Sequence, residues 1–218
     1  VTDHHRVGDE LPDAVAVVDP HREDSFCEFS DWAGVGVAFK LVCALENGED
    51  YDVLEKYGDL VTVGTIADIV SLKGENRIIV RSGIAIINAS FQDGTLRKGL
   101  ASLFEISGNN GVIDSASVAY RIAPRINAAG RMGSAERAVK LLLTDSAQEA
   151  KELSEEISQA NAQRQVTETK ISEAAIEFIE SRPDIKYSRV IVVEGEEWHQ
   201  GVIGIVASRL TERYGKPC

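Results

Sequence analysis

An α/β architecture built on a parallel sheet is the fold class that this sequence predicts, and three segments point to it. Residues 14–18 (AVAVV) form a short apolar run between Pro12 and Pro20 and read as a buried strand. Residues 60–63 (LVTV) read as a second buried strand, running into the turn GTIAD. Between them, residues 34–45 (GVGVAFKLVCAL) are apolar on most faces and end at Asn47-Gly48, the pattern of a buried helix with a glycine stop. Strand, helix, strand with apolar central strands is the order of a parallel α/β layer.

The next stretch, residues 75–144, reads as shorter helices. NRIIVRSGIAIINA, TLRKGLASLFEIS and SAERAVKLLLT carry helical spacing, punctuated by Gly and Asn as in SGNNGV. Residues 146–181 predict one long amphipathic helix. Ser146 with Glu149 three residues on makes a capping box. Leu153, Ile157, Ala160, Ile171, Ala174 and Phe178 form a thin apolar stripe, and Pro183 ends the helix with Arg182 pushed out of helical geometry. Such a helix is either a coiled-coil arm or a rigid connector between two lobes; a fresh apolar strand after it favours the connector. That strand is residues 189–194 (RVIVVE), followed by a turn and the helix GVIGIVASRLTERYG. The expected organisation is a first α/β domain over 1–144, the connector over 145–183, and the start of a second α/β domain over 184–218. Both ends look cut, so the chain is expected to be part of something longer.

Composition narrows the class. The chain has 218 residues, 44% of them hydrophobic, enough for one core or one core and part of another. No run is apolar and long enough to cross a membrane, and no signal peptide pattern opens the chain. Cys27, Cys43 and Cys218 are scattered, which argues against a disulfide framework or a zinc ribbon and fits a reducing, cytoplasmic setting. The sequon Asn88-Ala89-Ser90 carries no meaning there. A formal net charge of -12 argues against a general DNA-coating protein. It leaves room for a nucleic-acid enzyme, because acidic clusters that hold divalent cations add negative charge.

Four places carry chemistry. Asp3-His4-His5 are metal-ligand types: one imidazole could ligate while the other meets substrate, with Asp3 orienting a ring. The alternative is a solvated strand end, and if the strand persists His4 and His5 face opposite ways. Asp68 follows the apolar run LVTV and would sit at the carboxyl end of a sheet, where open α/β folds bind ligands; otherwise it is an ordinary turn residue. Mixed His and Asp donors suit Mn²⁺ or a related cation. In RIAPRINAAGRMGSAER, Arg121, Arg125, Arg131 and Arg137 gather around Asn127 and Gly130. Arginine forks match phosphate and glycine admits a close backbone, yet a solvated, ion-paired helix face has the same composition. Finally, Trp198, His199 and Gly201 precede a helix N-terminus, as a phosphate or base contact or, slightly preferred, a capped turn with Trp198 on the core. GVGVAF lacks the third glycine and the preceding strand of a dinucleotide turn, and His21 reads as a surface loop residue. No P-loop or nucleophilic-serine elbow is present.

Taken in order, TDHH, GVGVAFKLV, VGTIADIV, IAPRINAAGRMG and WHQGVIGIVASRL resemble the RecJ family of single-strand-specific 5′-to-3′ exonucleases, within the DHH phosphoesterase superfamily. The resemblance runs over essentially the whole chain. DHH alone is weak; RINAAGR followed by W…GVIGIVASRL is specific. It implies a metal-dependent exonuclease of single-stranded DNA, serving DNA repair and recombination. His4 and Asp68 would be metal ligands, His5 would face the scissile phosphate, and Asp3 would support the pair. Arg125, Asn127, Gly130 and Arg131 would lie near the substrate path, with His199 and Gly201 as further contacts. Two Mn²⁺ or Mg²⁺ ions would serve water attack on phosphorus, and a helicase and a single-strand-binding protein are the partners that such a family implies.

Further aspartates of the metal pair would lie before Val1, and a Gly-Gly-His motif of the associated domain after Cys218. Two rivals remain: a DHH phosphodiesterase of short oligonucleotides or cyclic dinucleotides, disfavoured by the long connector and RINAAGR, and a non-catalytic replication scaffold, disfavoured by the intact Asp3-His4-His5 and Asp68. This chain by itself is expected to bind Mn²⁺ weakly and to hydrolyse almost nothing; robust exonuclease activity from the purified 218-residue chain would overturn that expectation.

Overall fold

The computed structural model describes residues 1–46, 50–109 and 111–218, and it is helical where the sequence predicts a sheet. Among the described residues no strand forms. What exists is a parallel bridge between Thr2 and Val18, in which Asp3 N–H donates to Val18 O at 3.0 Å and Val18 N–H to Val1 O at 2.9 Å. The parallel-sheet α/β fold class is therefore corrected, for three separate reasons. Residues 14–18 bury no face: Val15 is fully exposed and Val18 is 41% exposed. Residues 60–63 lie inside a helix, because an apolar run of four reads equally as strand or buried helix. Buried Val53, Leu54, Gly58, Val61, Thr62, Thr65 and Ile66 supply the helical spacing that decides it. Residues 189–194 alternate in and out as a strand would, with Ile191 buried between exposed Val190 and Val192. No neighbouring strand pairs with them; Ile191 N–H donates instead to Pro217 O at 2.9 Å.

The chain forms two compact units, Val1–Pro124 and Arg125–Cys218. The first is built on α1 (Gly34–Glu46), α2 (Asp50–Ala67), α3 (Gly74–Gln92) and α4 (Lys98–Ile106), followed by the short α5 (Ser115–Ser117). The helix read over 34–45 forms as α1; its Asn47-Gly48 stop lies outside the described residues, as does Asn110 of SGNNGV. Trp32, Val37, Phe39, Cys43, Val53, Leu54, Val61 and Ile79 form one buried cluster. Each fully buried large side chain contributes about 1.5–3 kcal/mol. Burial also pushes the Cys43 thiol up to about 11, and all three cysteines are unpaired. Helices α2 and α3 approach closely at Gly83, where a Cβ would land on Thr62 Oγ1 and within 2.7 Å of Gly58 O. Buried Asp59 is neutralised by Arg97 Nε at 2.9 Å. Asn88 has no amide group to spare for its sequon: its Nδ2 donates to Ile84 O and Ile113 O, and its Oδ1 accepts from Ile113 N–H.

A π-helical turn, Val118–Ile122, leads into α6 (Ala123–Met132). Pro124 explains it: a proline ring clashes with the carbonyl four residues back, and a wider turn relieves the clash.

The second unit carries α7 (Glu136–Leu143), α8 (Ala147–Ser181), α9 (Pro183–Lys186) and α10 (Gln200–Tyr214). The long helix read over 146–181 forms as α8. Only half of its capping box forms. Ser146 Oγ accepts from Glu149 N–H at 3.3 Å, but the Glu149 carboxylate turns to Thr144 Oγ1 and to Lys140 Nζ. Arg182 leaves the helical region at φ -124, ψ 86, as a residue before proline should. In its C-terminal half α8 buries Ile171, Ala175 and Ile179 against Val202, Val206 and Leu210 of α10 and against Ile191.

One buried group on α8 is a charge. Glu168 is 2% exposed and takes two cations, Arg164 Nη1 at 2.5 Å from its own helix and Arg209 Nη2 at 2.6 Å from α10. Arg164 is itself mostly covered, whereas Arg209 is 64% exposed. Removing one partner of a buried pair costs about 3–5 kcal/mol, because the other charge is left uncompensated. Glu168→Ala is therefore expected to destabilise the second unit by about 3 kcal/mol in urea unfolding. Arg209→Ala leaves the buried Glu168 Oε1 without its cation and is expected to cost about 1–3 kcal/mol.

A candidate metal centre and an arginine–glycine contact

The Asp3-His4-His5 triplet follows the single bridge at Thr2, and the extended geometry does not continue through it. The two imidazoles consequently do not point apart: their ring centroids lie 4.3 Å from each other. Asp3, His4 and His5 each offer a ligand atom, and these atoms lie within 4.8 Å of one another. Asp3 organises the triplet. Its Oδ1 accepts from His4 N–H at 2.7 Å, from His5 N–H at 3.2 Å and from His5 Nδ1 at 2.7 Å. These donors, His5's ring first, hold its carboxyl down at about 2, from an ordinary 3.8.

His4 is oriented by the main chain. Its Nδ1 lies 3.0 Å from Trp32 O. A carbonyl only accepts, so Nδ1 carries the proton, and in the neutral ring Nε2 keeps its lone pair. That lone pair faces Asp68 Oδ2 at 3.5 Å. Gly34, at the start of α1, makes room: a Cβ there would stand 3.2 Å from the His4 ring.

The sequence predicts a strand before Asp68; the residue instead lies one position past α2. The end of a helix carries about half a negative charge, an unfavourable place for a carboxylate. The next residue, Ile69, sits at φ 58, a left-handed conformation that β-branched residues rarely adopt. An imidazole nitrogen and a carboxylate oxygen thus stand 3.5 Å apart, the carboxylate on a strained loop at the electronegative end of α2, an arrangement that could hold a divalent cation. Adjacent ligands of an octahedral ion, each about 2.1 Å from it, stand about 3 Å apart, near the spacing seen. His4, His5, Asp3 and Asp68 are the residues here that could hold one.

Two positions that the sequence reading passed over support this arrangement: Trp32, through its carbonyl, and Asn76. Asn76 Nδ2 donates to Asp31 O at 2.6 Å and to Ser71 O at 3.0 Å. Only the clustering of Trp32 between Phe29 and a glycine pair gave any sequence signal.

In the second unit, three of the predicted contacts come together. Arg131 Nη1 donates to Gly201 O at 3.2 Å, and a Cβ at Gly201 would collide with the Arg131 carbonyl. His199 caps α10, its Nδ1 accepting Gly201 N–H at 3.1 Å. Trp198 packs on the core cluster, the capped-turn arrangement. Arg125 is engaged with Ser158 on α8 at 3.2 Å. Asn127 and Gly130 are exposed on α6 and are not drawn into that contact; Arg121 reaches Gly108 O at 3.3 Å.

Residues 1–65 match the family described as DHH family, N-terminal domain. The likeness then narrows within that class. The chain is 42% identical over 218 residues to the single-stranded-DNA-specific exonuclease RecJ of Bacillus subtilis, covering 100% of this chain and 26% of that protein. The crystal structure of RecJ in complex with Mn²⁺ from Thermus thermophilus superposes with a TM-score of 0.80 at 39% identity, over 99% of this chain and 31% of the other. The Mg²⁺ complex from the same organism gives 0.74 at 39% identity, over 92% and 30%. The chain thus spans about a quarter to a third of the length of these relatives, and the resemblance read from its motifs holds over its whole length.

Asp3 gives this geometry a pH signature. Its depressed value stabilises the folded triplet fully above 3.8, and that contribution is lost as pH falls through about 2. In metal-free protein, His5→Ala is expected to raise the Asp3 carboxyl toward 3.8, followed by carboxyl ¹³C NMR titration.

Proposed function

We propose that this chain carries part of the catalytic apparatus of a metal-dependent 5′-to-3′ exonuclease that hydrolyses single-stranded DNA in repair and recombination. The observation that carries the reading is His4 Nε2 standing 3.5 Å from Asp68 Oδ2, in a chain similar to RecJ throughout. In this reading His4 and Asp68 ligate Mn²⁺ or Mg²⁺, and the ions supply water activation and hold the leaving oxygen. Asp3 keeps the His5 ring oriented by its 2.7 Å bond, so that His5 meets a phosphoryl oxygen. Arg125, Asn127, Gly130, Arg131, His199 and Gly201 line the strand's path and contact its backbone. Residues 1–144 serve the catalytic domain, 145–183 the connector and 184–218 the associated domain. No described helix is long and apolar enough to cross a membrane. We place the protein in the cytoplasm, working with a helicase and a single-strand-binding protein.

The test is Mn²⁺-dependent digestion by the full gene product, with 5′-phosphorylated single-stranded DNA and a dinucleotide side by side. Stepwise mononucleotide release from the 5′ end supports the reading. Cleavage of the dinucleotide alone moves the site to small substrates, and cleavage of neither points to a scaffold. His4→Ala and Asp68→Asn are each expected to lower the rate by about two orders of magnitude or more with an unchanged circular dichroism spectrum. A lost helical signal would instead make these residues structural.

A further inference from the structure

Asn76 is fully buried in the first turns of α3, and its side-chain amide bonds the main chain near the candidate site and not its side chains. Its two amide hydrogens go to backbone carbonyls of different loops, Asp31 O at 2.6 Å and Ser71 O at 3.0 Å. Asp31 immediately precedes Trp32, whose carbonyl orients His4. Ser71 lies three residues beyond Asp68, on the loop that holds the left-handed Ile69. The two acceptors are 45 and 5 residues away in sequence, so nothing local ties them together. A second contact docks the same helix start on the same loop. Gly74, at φ +48, lies under the Phe29 ring, where a Cβ would come within 2.8 Å of it. Phe29 in turn stands edge-on to Trp32, with ring centroids 5.1 Å apart.

We propose that Asn76 is a positioning residue of the metal site: its buried amide clamps the loop that orients His4 to the loop that presents Asp68. This rests on the reading of His4 and Asp68 as ligands. A clamp of this kind sets the spacing between two ligand atoms. Its loss should therefore appear first in metal affinity and in the His4 tautomer, and not in affinity for the DNA strand. Asparagine suits the task because it is short and carries two donors on one nitrogen. An aspartate of the same shape would set a carboxylate against two carbonyl oxygens.

The experiment uses the full gene product with Asn76→Asp and Asn76→Ser, the second keeping a single donor and no charge so that a folded variant is in hand. The first readout is ¹⁵N NMR of histidine-labelled, metal-free protein, which reports whether His4 holds its proton on Nδ1. The second is the Mn²⁺ concentration for half-maximal digestion of 5′-phosphorylated single-stranded DNA, measured beside KM for the strand. The expected result is loss of the fixed His4 tautomer and a rise of about 10- to 100-fold in the Mn²⁺ requirement. KM should stay unchanged and excess Mn²⁺ should recover rate. A folded Asn76→Ser protein with the wild-type tautomer and Mn²⁺ requirement overturns the proposal. So does a loss of activity that follows only the folded fraction and ignores added Mn²⁺. Should the wild type neither digest DNA nor bind Mn²⁺, the nuclease reading fails on its own. The metal-site role of Asn76 falls with it, and the NMR comparison then reads only the loop clamp: an altered His4 tautomer keeps Asn76 as the tie between the two loops, an unaltered one overturns that too.

Discussion

The hydrogen bond from His4 Nδ1 to the carbonyl of Trp32 is the interaction on which the geometry of the candidate site depends. It engages one ring nitrogen and turns the other, Nε2, toward Asp68. A peptide carbonyl can do this only if its own plane is fixed, and Trp32 is fixed from several sides. The indole is 3% exposed, with Phe29 at its edge and Lys40 Nζ 5.3 Å from its centroid. Gly36 leaves space under it, since a Cβ there would come within 2.6 Å of Cε3. Helix α1 begins at once: Gly36 and Val37 N–H both donate to Ala33 O. An apolar anchor, a helix start and the orientation of His4 are thus set within a few residues of chain.

Asp68 shows the opposing side of the same design. Its carboxylate stands at the electronegative end of α2, beside a β-branched residue in a conformation costing about 1–3 kcal/mol. Packing elsewhere must sustain such a loop. The close approach of α2 and α3 at Gly58, Thr62 and Gly83 does so, because two helices in near-backbone contact cannot shift to relax the turn between them.

What the sequence discloses follows from which physical signals are local. The His and Asp residue types at positions 3, 4, 5 and 68 suggest cation donors without any fold, but a solvated chain end and an ordinary turn aspartate share that signal. The long helix is legible from its caps and its lack of glycine. Its buried stripe is less so: after Ile171 the expected Ala174 and Phe178 give way to Ala175 and Ile179, because positions three and four residues on both lie on one helix face and tertiary packing chooses between them. The sheet is misread because short β-branched runs look alike as strands and as buried helix turns, and burial by distant residues decides between them. Trp32 and Asn76 act through backbone carbonyls, which no side-chain pattern reports. Arg131 and Gly201 are individually suggestive, but their contact spans 70 residues of chain. Among the many glutamates of α8, only the arrival of Arg209 from α10 distinguishes Glu168.

That buried glutamate has a consequence for alignment. A helix of 35 residues is about 52 Å long, and its apolar stripe offers a smooth track on which a partner helix could settle in more than one place. Sliding α10 by one turn, about 5.4 Å, would still set aliphatic side chains against aliphatic side chains. It would also carry Arg209 away from Glu168 and leave a covered carboxylate with one cation instead of two. The charge therefore works as a detent, converting a continuous rail into a single stop. Whatever α10 presents at its capped end is delivered at one fixed height along α8.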